Sequence, residues 1–451
     1  MSGLQAGAAV ADITPPPGGL MDGYGARREP SQGVHDPLYA RALVLDYGEA
    51  ACAIVGCDLL GMDPRITAAV RERVQSATGI ASDGVVVAAT HSHAGPYGLR
   101  PGMFSRYEEA LAEQVVEKIT GAVTDAWRAR RAATLKLASA VVDTVSQNRR
   151  DPDWPVDPML RVLLVDGEDG PVASLLSFAC HATVLDATNL LLSAEFPGVA
   201  CRIVQEQTKA PVVYLNGACG DVNPVWVRQD FDSVERVGQI IGGQALRLVG
   251  ELRTLGPGQR AHNIRWDEFI ETPAPGRIVE PRFGAARREV ELPLREFAPD
   301  ETYASEASEL GGRLEADARR GLAEGSDARR DVMARLTRVR NERWAAVWAR
   351  QRPPEAPALR TEVQALSLGG GLALLALPGE FFVETGERIR SRCGIGDVLV
   401  AGYANDYVGY VAPADAYPQG GYEPGVSPVA PEAEGIIVDA SLAALAEATR
   451  E

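Results

Sequence analysis

The chain has 451 residues, with 45 Lys and Arg against 61 Asp and Glu, a formal net charge of −16. Its 46% hydrophobic and 24% charged content is that of a globular protein and excludes disordered, collagen-like and coiled-coil architectures. A surface this acidic repels phosphate, so neither nucleic-acid binding nor docking on anionic lipid is expected. The length accommodates two or three domains, or one large catalytic domain.

The stretch MSGLQAGAAVADITPPPGG lacks the basic start and apolar core of a secretory signal. No run approaches the roughly 20 apolar residues needed to cross a bilayer. The cysteines Cys52, Cys57, Cys180, Cys201, Cys219 and Cys393 are scattered without a CxxC pair and read as reduced, mostly buried thiols. A cytoplasmic soluble protein is the expectation; oligomeric state is not legible.

Ala51–Val55 and Val85–Ala89 are short, rich in Val, Ile and Ala, and closed by turns, which predicts buried strands. Pro64–Ser76 between them has helical spacing. Tyr107–Arg128 is the strongest helix, with Leu111, Val115, Ile119, Ala122, Val123 and Trp127 on one face. Further strands are predicted at Leu160–Val165, Val172–Phe178, Val212–Leu215, Leu372–Leu377 and Val398–Ala401. Val234–Leu252 predicts a helix with Ser233 as N-cap. The alternation predicts an α/β fold, a mixed β-sheet core with flanking helices.

Residues 283–352 are rich in Arg, Glu and Ala and end at Pro353-Pro354. They predict two or three mostly solvent-facing helices inserted in one catalytic domain spanning 1–451. The basic run Arg335–Arg343 within them reads as a solvated face. The Pro- and Gly-rich stretch Ala412–Pro431 predicts a long loop, and long loops in compact domains are often functional.

The histidines point to the chemistry. His91 and His93 directly follow the strand Val85–Ala89, where period-2 alternation would put both rings on one side. Such a pair can offer a metal one or two imidazoles, or be purely structural. His181 closes a second apolar strand, at a sheet edge where α/β proteins place their sites, although a satisfied core histidine is the simpler reading. Glu380 follows the strand Leu372–Leu377 between apolar neighbours. A carboxylate there is paired, protonated or metal-bound, or else begins a helix. Tyr403, Tyr407, Tyr410, Tyr417 and Tyr422 crowd into a Gly-rich stretch, as packing or as ligands and proton donors.

Together these fragments resemble the catalytic domain of the neutral/alkaline ceramidases, zinc-dependent amidases that split the N-acyl bond of ceramide. The resemblance runs in one order through Gly7–Pro16, Met21 and Gly23-Tyr24-Gly25, Leu38–Ala42, Thr90–Pro96 and Asn148-Arg149. It continues through Phe178–His181, Asn216–Val222, Leu377–Phe381 and the segment from Tyr403 to Glu423. It implies one zinc ion per chain held by His91, His181, Glu380 and Tyr410. Tyr422, twelve positions after Tyr410, corresponds to a catalytic tyrosine, and His93 and Arg149 to residues flanking the scissile carbonyl. Metal-activated water would attack that carbonyl while Arg149, Tyr422 and His93 supply donors and a proton.

One departure stands out. The family carries serine in a Gly-Asp-Val-Ser-Pro turn, and this chain has Asn223 in Gly220-Asp221-Val222-Asn223-Pro224. An amide is no nucleophile but can hold a substrate or a water. Cys219 nearby reads as a buried, inert thiol, and Cys180 as pointing away from His181. His35 and Asp58 are candidates for orienting the ligands, or for plain structural hydrogen bonds; His262 has no role. The resemblance implies sphingolipid and lipid metabolism. The absent signal and the absent C-terminal immunoglobulin-like domain suggest a smaller or more soluble acyl-amide substrate than membrane ceramide. The alternatives are a zinc-dependent ester or lactone hydrolase, an enzyme on another small polar substrate, and a non-catalytic binding scaffold.

Overall fold

The fold, a computed structural model, is described for residues 3–100, 107–254, 261–262, 269–270, 276–323, 325–350 and 358–450. Three sheets dominate it. The first has the order Val85–Ala89, Ala51–Cys57, Tyr39–Asp46, Gln5–Asp12 and Arg131–Ala132. The second runs Val212–Asn216, Gly170–Phe178, Met159–Gly167, Thr134–Val141 and Gly276–Val279. Gly284–Pro293, Ala358–Gly369, Leu372–Ala376 and Asp397–Ala401 make the third.

Most neighbouring strands are antiparallel, but each of these sheets holds one parallel pair. The pairs are Ala51–Cys57 with Val85–Ala89, Gly170–Phe178 with Val212–Asn216, and Leu372–Ala376 with Asp397–Ala401. Parallel neighbours need a crossover, and each pair has a helix for it: Pro64–Thr78, Glu195–Thr208 and Val383–Arg392. This is the mixed α/β core that the alternating pattern predicts.

The strands of the pairs are buried on both faces, so they read as continuous apolar runs rather than alternations. Ile54 and Val86 point into a central core shared with Leu175 and Val213 of the second sheet and Leu374 and Leu399 of the third. Val55 and Val87, one residue along, point outward under the helices Pro64–Thr78 and Glu109–Arg128. The helices Glu195–Thr208 and Phe231–Thr254 cover the second sheet, and Ala433–Ala448 the third.

Several boundaries differ from expectation. Within residues 283–352, Gly284–Pro293 is a strand paired along its whole length with Ala358–Ser367, so the helical part is the hairpin Asp300–Arg319 and Asp327–Arg350. Its Ala286, Val290 and Leu292 alternate inward, but Arg287, Arg288 and Glu289 hid that period. Ser233 does not cap its helix, which begins at Phe231; the Asp230 carboxylate accepts from the Ser233 backbone N–H at 2.9 Å. The stretch 412–431 is not all loop, since it contains the short helices Ala416–Gln419 and Tyr422–Val426. The strands Gln5–Asp12, Tyr39–Asp46, Thr134–Val141 and Ala358–Gly369 were not predicted, because their Ala, Gly and charged residues give no clean alternation.

The helix Glu109–Arg128 lies directly on the Gln5–Asp12 backbone at Gly7. A Cβ at Gly7 would sit 2.0 Å from the Ala126 carbonyl oxygen and 2.9 Å from the Arg130 nitrogen. Gly7→Val is therefore expected to destabilise the fold by roughly 1–3 kcal/mol through overpacking, read as a lowered urea midpoint at unchanged m-value.

Candidate active site

The carboxyl ends of the paired strands gather the functional side chains, as crevices in α/β sheets do. His91 and His93 leave Val85–Ala89, His181 follows Gly170–Phe178, and Glu380 follows Leu372–Ala376. Asp397–Ala401 leads into Tyr403, Tyr407 and Tyr410. The two imidazoles do not meet through strand pleat as expected. The strand ends at Ala89, and His91 adopts a left-handed backbone (φ 63°) that turns its ring toward His93. Their centroids are 4.7 Å apart and their Nε2 atoms 3.0 Å. Tyr403 and Asn405, at φ 55° and 64°, share this strained conformation beside the site. Such strain costs about 1–3 kcal/mol per residue and persists only where packing enforces it. Here the Tyr403 ring stacks on His91 at 3.9 Å.

Hydrogen bonds fix the tautomers. His91 Nδ1 lies 2.7 Å from the Leu60 carbonyl oxygen, and His181 Nδ1 lies 2.7 Å from that of Cys219. Each Nδ1 therefore carries a proton, so in the neutral ring the lone pair is on Nε2. Those lone pairs face the Glu380 carboxylate, whose Oε2 is 3.1 Å from His181 Nε2 and 3.4 Å from His91 Nε2. Burial and then the Arg149 charge lower His181 to about 4, so its ring is neutral. Tyr407 donates to Glu380 Oε1. The Glu380 carboxylate does not begin a helix; that helix starts at Val383, whose N–H donates to Asp221 Oδ1 at 2.8 Å.

Buried acceptors facing one another in this way are costly without a cation between them. The donor chemistry fits one: two imidazole nitrogens and a carboxylate oxygen, with the Tyr410 hydroxyl 3.5 Å from His181 Nε2. His93 also belongs to the cluster, since ring nitrogens of His91, His93 and His181 lie within 4.8 Å of one another and could hold a metal ion. Burial and the two neighbouring imidazoles lower His93 well below the usual range.

Arg149 stands on the other side of Tyr410. Its Nη2 donates to the Tyr410 hydroxyl (2.8 Å), Nη1 to Asn223 Oδ1 (3.2 Å) and Nε to Glu423 Oε1 (2.7 Å). The Asn148-Arg149 pair is seated by Asp221, whose backbone and side chain accept from Arg149 N and Asn148 Nδ2. Tyr422 meets Tyr410 edge to face at 5.7 Å and is 45% exposed, unlike the buried residues around it. A cavity of about 190 Å³ opens from His91, Glu380 and Tyr410 past Tyr24, Trp344 and Tyr422.

Other candidates lie elsewhere. Asp58 forms a buried ion pair with Arg41 (2.6 Å) and accepts from Tyr39 N; it orients no histidine. His35 stacks on Phe231 and bonds Asp36. The backbone carbonyls of Leu60 and Cys219 do the orienting, and no sequence signal marks a carbonyl. Cys219 is buried, with Sγ 3.3 Å from Asn216 Oδ1 and from the Tyr403 hydroxyl, and burial pushes its thiol up. Cys180 packs in the apolar core of the second sheet. His262 lies in a two-residue strand paired with Phe269. Sequence reasoning missed Tyr407, Glu423 and Asp221 as partners of site residues, although all three lie inside the motifs quoted for the resemblance.

Residues 4–220 match the family described as neutral/alkaline non-lysosomal ceramidase, N-terminal. The neutral ceramidase of Pseudomonas aeruginosa is 25% identical over 93% of this chain and 68% of its own length. That of Mycobacterium tuberculosis is 24% identical over 94% of this chain and 73% of its own. The crystal structure of the Pseudomonas aeruginosa enzyme shares the fold, with a TM-score of 0.74 at 20% identity over 100% of this chain and 75% of that one. A structure titled ceramidase complexed with C2 superposes with a TM-score of 0.71 at 19% identity, over 98% and 75% of the two chains.

Five of the six cysteines are buried and only Cys393 is partly accessible. Titration with a disulfide reagent is expected to modify Cys393 alone in the folded protein and all six thiols after denaturation. Rapid native modification of Cys219 would contradict its assignment to packing.

Proposed function

We propose that this chain, a homologue of the neutral ceramidases along most of its length, is a metal-dependent hydrolase of linear N-acyl amides, ceramide among them. The observation that carries the reading is the convergence of the Nε2 atoms of His91 and His181 on the Glu380 carboxylate beside Arg149, with both Nδ1 atoms held by backbone carbonyls. His91, His181, Glu380 and Tyr410 would hold the metal, and borderline nitrogen and oxygen donors favour Zn²⁺. A divalent ion there supplies Lewis acidity toward water and the acyl carbonyl.

The chain's own groups do the rest. Arg149 is held by Tyr410, Asn223 and Glu423, so its charge is preorganised for an oxyanion without reorganisation during reaction. Burial pushes the Tyr422 phenol up to about 12, so it keeps its proton at neutral pH and donates it toward the departing amine. His93, neutral because burial lowers it, is a base within reach of the same carbonyl. Asn223 accepts from Arg149 and so positions the guanidinium rather than attacking substrate. Tyr24, which donates to the Leu185 carbonyl, packs against the His93 ring at 4.9 Å and limits its rotation.

The test is release of fatty acid from N-lauroyl amides and the matched lauroyl ester by the zinc-loaded protein. Amide turnover supports the reading; turnover of the ester alone would replace it with an esterase. Arg149→Ala is expected to lower kcat by about 10²–10³, the loss typical of one oxyanion donor. Tyr422→Phe is expected to lower kcat with metal content unchanged, since its proton acts only in the transition state. Unchanged kcat in Tyr422→Phe would remove the tyrosine from the mechanism.

A further inference from the structure

We propose that the groove between the Asp327–Arg350 helix and the segment from Tyr417 to Gly425 binds the anionic head of an amphiphilic acyl-amide substrate. The inference rests on the hydrolase reading above for calling that amphiphile a substrate. The groove, of about 1080 Å³, and the catalytic cavity share one wall residue, Tyr422. A molecule lying in the groove therefore touches Tyr422, the residue assigned to proton transfer.

The charge of the groove opposes that of the chain. Formal net charge is −16, yet the helix Asp327–Arg350 carries seven arginines against three acidic residues. Five arginines line the groove with Glu342 as its one acid among the described residues. Among the described residues only Arg330 and Arg335 of these five pair with acids, Asp327 and Glu306. Arg295 donates to the carbonyls of Pro424 and Ser427, and Arg329 to that of Leu322. Arg338 is exposed and has no ion pair or hydrogen bond among the described residues. Three guanidiniums thus lack a carboxylate, in a chain whose overall field repels anions.

The remaining walls are apolar. Met333 is 48% exposed there, beside Leu314, Tyr417 and Tyr422. Cationic forks next to an apolar wall suit an acyl chain joined to a carboxylate or phosphate, which guanidinium binds through paired hydrogen bonds. A neutral amino-alcohol head gains nothing from them. The helix packs against Tyr422–Val426 closely enough that a Cβ at Gly425 would lie 3.2 Å from Asn341 Cβ, so one wall of the groove is packed directly on the helix that carries Tyr422.

Two measurements on the full chain test this. The first compares binding of monododecyl phosphate with that of neutral dodecyl maltoside, both below micelle formation, to wild type and Arg338→Glu. The phosphate is expected to bind more tightly and to lose roughly tenfold in affinity in the variant, the scale of one well-placed ion pair. The second compares hydrolysis of N-lauroylglycine and N-lauroylethanolamine. Arg338→Glu is expected to lower kcat/KM for the glycine amide alone, with an unchanged melting temperature, and Arg338→Lys to retain most of it. Phosphate affinity indifferent to Arg338, equal affinity for both amphiphiles, or equal loss on both amides would overturn the inference. If binding responds to Arg338 but neither amide is cleaved, the groove assignment stands and the hydrolase reading fails.

Discussion

The site depends on two hydrogen bonds from histidine to backbone: His91 Nδ1 to Leu60 and His181 Nδ1 to Cys219. They decide the tautomer, the tautomer decides that Nε2 is an acceptor, and the acceptors then face a buried carboxylate. Nothing in the surrounding packing needs that confrontation. On the proposed reading a positive ion at the centre would stabilise it, and the surrounding side chains keep the donors assembled. Tyr407 takes the outer oxygen of Glu380, Tyr403 stacks on His91, and Arg149 is pinned from three sides before any substrate arrives.

The fold explains how residues so far apart in sequence meet. Three crossover units, one in each large sheet, direct the carboxyl ends of their parallel strands to one place. His91, His181 and Glu380 each come from a different unit. A shared core of residues such as Ile54, Val213 and Leu374 locks the sheets together, so the geometry is inherited from packing rather than from any single loop. The hairpin of Asp300–Arg319 and Asp327–Arg350 reaches into this arrangement from outside. Its Trp348 stacks on Tyr407 at 5.6 Å, and Tyr407 in turn touches Glu380.

Much of this was legible in the sequence. Doubly buried strands announce themselves as apolar runs, which is why Val85–Ala89 and Leu372–Ala376 were found and why His91 and Glu380 drew notice. The ordered motifs, from Gly7 to Glu423, carried the resemblance and with it the fold. What stayed hidden has physical reasons. Gly284–Pro293 buries one face and fills the other with charge, so local composition read as helix. The turn at His91 depends on a left-handed backbone that tertiary contacts impose. The orienting partners are carbonyls, identical in every residue. Asp58 attracted attention as a buried acid, but its Oδ2 is taken by Arg41 and the Tyr39 N–H rather than by a histidine.

The central claim is that a metal ion resolves the confrontation of acceptors at His91, His181 and Glu380. Elemental analysis of the purified chain beside His181→Ala and Glu380→Ala tests it most directly. The account predicts about one zinc per chain in the wild type, lost in both variants while each remains folded. Wild-type protein without metal after reconstitution, or metal retained in either variant, would contradict it.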